Sequence, residues 1–104
     1  MHVRIAKYTF TGDVNDMARR AEEGMVPIFQ AQPGFNGYTL ATTGEKIISI
    51  SAWDSAESAE AASGAAAEWI KANLAGEVEL KDAHICEVLY STVFGVSTLT
   101  GARA

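Results

Sequence analysis

The 104-residue chain is predicted to adopt an α+β fold of the ferredoxin-like kind, an antiparallel sheet built in the order βαββαβ with both helices on one face. Apolar and polar residues alternate over residues 3–10 (VRIAKYTF), which is the period of a half-buried strand. Residues 14–30 instead carry apolar side chains at spacings of three and four, the stripe of an amphipathic helix. The strand-then-helix order recurs where KIISISAW runs into the alanine-rich AWDSAESAEAASGAAAEW.

Taken in chain order, the first strand ends at Thr11-Gly12-Asp13, where Asp13 and Asp16 put acidic side chains beside the free N–H groups that open a helix. Val14, Met17, Ala18, Ala21, Met25, Ile28 and Phe29 then form one apolar face. Pro27 lies inside that pattern and removes a backbone donor, which predicts a kink near Gly24. Pro33-Gly34 ends the element. Residues 35–42 and 46–53 follow as a hairpin turning at Thr43-Gly44. Asp54 or Ser55 caps the second helix, and the alanines after it are the best of all helix formers. A flexible linker would carry more Gly, Ser and Pro. Residues 83–94 (AHICEVLYSTVF) read as a long last strand, and residues 95–104 as a tail that is flexible or available to a dimer partner.

The whole chain, residues 1–104, reads as a single domain. A net charge of −5 with scattered Lys and Arg provides no basic stripe for nucleic acid or for an anionic membrane. No apolar run approaches bilayer length, and the N-terminus enters a strand without a signal-peptide pattern, so the expectation is a cytoplasmic protein. Cys86 is the only cysteine, which excludes an intrachain disulfide and a multi-cysteine metal site. Strands apolar on both faces, with helices on one, leave a face uncovered; two copies joined sheet to sheet would hide it, so a homodimer is expected.

Three features resemble one family: Pro27 late in the first helix, the PGFNGY run of residues 33–38, and ISISAWDSAESAEA at residues 48–61, where a strand ends in Trp-Asp-Ser before a helix. The resemblance spans roughly residues 3–94 and is to the dimeric α/β-barrel proteins of the antibiotic-biosynthesis-monooxygenase type. It implies two sheets closing into a barrel across a dimer. It also implies a site between sheet and helices, and either oxygenation of aromatic polyketides without metal or flavin, or haem degradation, or no catalysis. Haem-degrading members carry an Asn on the first strand, a Trp on the second helix and a His near that helix's end. The matching places hold Ala6, Ala62 and Lys71, and a protonated lysine is a poor iron ligand beside neutral imidazole.

A cofactor-free oxygenase of phenolic compounds needs an apolar aromatic wall and a group that accepts a proton or stabilises the substrate anion. Tyr8, Tyr38 and Trp69 are the candidate substrate-binding side chains, and His84 the candidate catalytic proton acceptor. No cofactor and no metal is expected. Trp69 lies about one helical turn beyond Ala65 and Ala66, so it either borders a space those residues leave or fills the end of the core. His84 and Cys86 share one strand face, roughly 7 Å apart, too far to form a thiolate pair. Glu87 is expected to pair across a dimer with Arg4 or Lys7. The two functional readings are a monooxygenase-like enzyme acting on a small apolar or phenolic compound and a non-catalytic dimer that binds such a molecule. A cavity without an ionisable group beside it, and His84 directed elsewhere, favours the second.

Overall fold

The computed structural model describes residues 1–99. Strand β1 (His2–Phe10) is followed by α1 (Val14–Gln30), β2 (Phe35–Thr43), β3 (Lys46–Trp53), α2 (Ala56–Asn73) and β4 (Val78–Glu87). The four strands form one antiparallel sheet in the order β2-β3-β1-β4, and both helices pack on one of its faces. The predicted βαββαβ arrangement is therefore the observed one. No helix among the described residues is long and apolar enough to cross a membrane.

Local chemistry explains the joints. The Asp13 carboxylate accepts from the Asn15 backbone N–H at 3.0 Å and caps α1. Of the two candidate caps for α2, Ser55 takes the role, its hydroxyl accepting from the Ser58 N–H. Asp54 instead accepts from the Asn36 side-chain amide at 2.8 Å. Asn36 is the extra residue of a bulge in β2, between Phe35 opposite Trp53 and Gly37 opposite Ala52, and the bulge aims its amide at the corner. Gly34 has a positive φ of +84°, and a Cβ there would come within 2.9 Å of the Ser58 hydroxyl. The PGFNGY run is thus a clamp on the Trp-Asp-Ser corner.

Helix α1 continues through the exposed Pro27 as one element. Gly24, where the sequence argues for a kink, meets a different demand: a Cβ at that position would lie 2.6 Å from the Trp69 ring. The indole of α2 rests against bare backbone of α1. Deeper in the core, Trp53 is fully buried and meets Phe29 and Phe35 edge-on at ring separations of 5.6 and 5.4 Å. Its indole N–H donates to the Ser51 hydroxyl at 2.8 Å. Ala59, Ala62 and Ala66, the inward stripe of α2, pack with Met25, Phe29 and Trp53. The volume beside these alanines is filled by protein.

The last part of the chain departs from its sequence reading. A strand over residues 83–94 is predicted, whereas β4 occupies Val78–Glu87. Glu79, Lys81 and Asp82 conceal its start, because an edge strand exposed to water carries charge where a central strand carries apolar residues. It stops as the Val88 N–H turns to the Met1 carbonyl, and β5 (Tyr90–Ser91) pairs with β6 (Val96–Ser97) as a small hairpin. Gly95, at φ +67°, lets that chain reverse. The ring of Phe94 lies against Gly37, so the hairpin reaches β2. Of the predicted tail, residues 100–104 lie outside the described residues.

Candidate functional site

Strand alternation sends Arg4, Ala6 and Tyr8 of β1 toward the helices, beside Ser51, Ser49 and Ile47 of β3. Tyr38 and Leu40 come alongside from β2. The face of the sheet under the helices therefore carries a polar stripe in an otherwise apolar layer, since Arg4, Ser49 and Ser51 are all buried. A buried polar atom without a partner is costly, so each must find one or face a space that supplies it.

Tyr38 finds Ser49, whose hydroxyl donates to the phenol oxygen at 2.9 Å. The Phe29 ring meets Tyr38 edge-on at 5.5 Å. Burial pushes the Tyr38 phenol above its ordinary value, opposed in smaller measure by the Ser49 hydrogen bond and the charge of Arg4. The phenol is consequently a neutral hydrogen-bond donor at physiological pH. Having accepted from Ser49, it retains its own hydrogen for a ligand.

Two openings meet at this residue. A groove of about 460 Å³ runs between α1 and β2, lined by Met17, Tyr38, Leu40 and Ile47 among others and, on its polar side, by Glu22 and Thr42. Met17, Tyr38, Leu40 and Ile47 also bound a small interior cavity of about 30 Å³ that reaches Tyr8 and Trp69. Tyr8, Tyr38 and Trp69 thus line one space, which at about 30 Å³ holds little more than a water. Trp69 packs on Gly24 and against the core, and it walls this cavity, which is not a space left by Ala65 and Ala66.

His84 does not join them. Its neighbour Ile85 packs into the core beneath the helices, so His84 projects from the opposite face of the sheet. There it is exposed and paired with Asp82, its Nε2 lying 3.0 Å from a carboxylate oxygen. Cys86 shares that face and Lys71 is exposed, while Ala6 and Ala62 are fully buried. Arg4, one of the two partners expected for Glu87 across a dimer, is only 4% exposed and lies under the helices instead. Ser49, the partner of Tyr38, was not foreseen either. The signal for both was present in the alternation of β1 and β3, whose even and odd positions respectively share the covered face.

No protein-family model matches the chain, and no curated protein matches it in sequence. Solved structures do resemble it. SnoaB from Streptomyces nogalater, a cofactor-independent oxygenase, superposes with a TM-score of 0.69 at 14% identity, over 88% of this chain and 95% of that one. A monooxygenase from Streptomyces coelicolor, ActVA-Orf6, in complex with nanaomycin D, gives 0.62 at 20% identity over 86% and 92%. MupZ from Pseudomonas fluorescens gives 0.67 at 8% identity, this chain covering 81% of itself and 65% of that longer protein. The resemblance read from the sequence thus holds at the level of fold: the chain shares its α+β fold with structures described as putative antibiotic biosynthesis monooxygenases, from Chloroflexus aurantiacus and Nitrosomonas europaea, as well as with these.

Proposed function

We propose that the chain is a monooxygenase-like protein that receives a small, apolar, phenolic compound between its helices and sheet, at Tyr8, Tyr38 and Trp69. The observation that carries this is the Tyr38 hydroxyl, held by Ser49 at the point where the α1–β2 groove meets the interior cavity, with a hydrogen left to donate. A ligand hydroxyl or oxyanion would take that hydrogen while its rings lie along Met17, Leu40 and Ile47. The interior cavity would widen as the ligand enters from the groove.

Two readings of the outcome differ in chemistry. In the first, the bound compound reduces O₂ itself: an anthrone methylene becomes a carbonyl, dioxygen is the sole oxidant and one water leaves. The chain's part is to orient the ring, exclude water and donate from Tyr38 to the developing oxyanion. This reading is supported by the likeness in fold to SnoaB and ActVA-Orf6. In the second, the protein only binds. That reading is supported by His84, the proton acceptor expected beside the substrate, which lies across the sheet from the cavity.

Titration with 1-naphthol and with anthrones and quinols, followed by quenching of tryptophan fluorescence, tests the site. Tyr38→Phe is expected to weaken binding by roughly threefold to tenfold, the worth of one hydrogen bond. Oxygen consumption with a bound anthrone identifies the enzyme, and binding without consumption identifies the carrier. Failure of every such compound to bind would remove the proposal.

A homodimer belongs to the same reading. Leu89, Tyr90, Val93 and Phe94 are exposed large apolar residues on and around the C-terminal hairpin, and Val3, Ile5, Ile48 and Ile50 face away from the helices. Burying these against a second copy would form the two-sheet barrel. Light scattering that returned a monomer of 11.1 kDa at micromolar concentration would refute it.

A further inference from the structure

On the other flank of α2 lies a pocket that the Tyr38 site does not include. It measures about 410 Å³ and sits between α2 and strands β1 and β4, with Arg4, Ser63, Ala67, Lys71, Leu80 and Ala83 among its lining residues. Tyr8, Ile70 and Val78 form the wall it shares with the interior cavity. Most of the lining is aliphatic. Its charged groups are both cations, Arg4 at the inner end and Lys71 on the exposed face of the helix.

Arg4 is the anomaly. Arginine is always a cation in proteins, and this one is 96% removed from solvent, yet among the described residues it has no counter-charge. The ion pairs of the described residues involve Arg19, Arg20, Lys81 and His84, and none reaches Arg4. Its Nε is buried without a hydrogen-bond partner. Buried charges are ordinarily paired, because an uncompensated one carries a desolvation penalty of several kcal/mol. Here the neighbours across the strand are Ser51 and Ile85, which cannot supply the charge.

We propose that this pocket binds a small organic anion, a carboxylate on an apolar body, with Arg4 receiving the carboxylate, Lys71 adding charge at the mouth, and the aliphatic walls taking the body. A planar guanidinium matches a carboxylate through two parallel hydrogen bonds. A pocket of this volume suits a ligand of one or two rings. The site is separate from the Tyr38 cavity, so it holds whether or not a phenol is oxidised there.

The test uses the full-length protein and two matched probes, 1-naphthoate and the uncharged 1-naphthol, titrated at neutral pH by calorimetry. Wild type is expected to bind 1-naphthoate saturably. Arg4→Met, which keeps the stem and removes the charge, is expected to weaken that binding by at least about tenfold while 1-naphthol binding stays within about twofold. Ala67→Trp, which fills the pocket and leaves Arg4 in place, is expected to have the same effect on 1-naphthoate; it decides the matter if Arg4→Met does not fold. Wild-type affinity for 1-naphthoate in either folded variant, or no saturable 1-naphthoate binding by wild type, overturns the proposal. Loss of 1-naphthol binding alone would instead count against the Tyr38 site.

Discussion

The two flanks of α2 both carry small side chains and do opposite things. On one, Ala59, Ala62 and Ala66 are sealed against Met25, Phe29 and Trp53, with 1% exposure or less. On the other, Ser63, Ala67 and Lys71 border the open pocket that ends at Arg4. Small side chains therefore do not make a cavity by themselves. Where an aromatic cluster stands opposite, alanine lets the helix come close enough to touch it. Where the opposing strand offers an exposed edge and a charged side chain, the same smallness leaves room.

The contrast is broken most severely at its aromatic side. Trp53→Ala removes a fully buried indole between Phe29 and Phe35 and orphans the Ser51 hydroxyl. A loss of about 3–5 kcal/mol in a denaturant melt is expected. The two flanks are then compared directly by one substitution made twice. Ala62→Leu forces a larger side chain into a filled layer and is expected to destabilise by about 1–3 kcal/mol. Ala67→Leu, five residues along on the open flank, is expected to stay within about 0.5 kcal/mol of wild type. Equal effects at the two positions would mean that the flanks are not different in packing.

The sequence showed the elements more clearly than the site, for a physical reason. Periodicity reports which residues share a face, so β1, the hairpin strands and both helices were readable, with α1 predicted at Val14–Gln30 as observed. It does not report which face the helices cover. His84 and Cys86 were correctly grouped as sharing a side of β4, but nothing local marks that side as the one away from the helices. The converse holds for Arg4: a cation between Val3 and Ile5 reads as the solvent position of a half-buried strand. Here that inference fails, because Arg4 shares the face that the helices cover. Gly24 shows the same limit, since only the tertiary approach of Trp69 explains it.

The smallest expected effect concerns how the open flank is held at its far end. Arg20 of α1 donates to the Glu77 carboxylate, just before β4, and lies near the Asn73 carbonyl at the end of α2. This tie is electrostatic and at the surface, whereas the sealed flank is held by packing that does not titrate. The hydrogen bond from Arg20 holds the Glu77 carboxyl below the ordinary range, opposed by desolvation, helped by the charge of the same guanidinium and opposed again by the charge of Asp16. A carboxylate depressed in the folded state contributes stability that is present above its unfolded value of about 4.3 and is lost as pH falls through the lower folded value. Glu77→Gln should therefore flatten the acid side of the stability profile below about pH 5 and leave the slope near neutrality unchanged. Raising the salt should shrink the wild-type difference. If the acid slope survives the substitution intact, the end of α2 is fixed by something other than this pair, and the open flank is as firmly packed as the closed one.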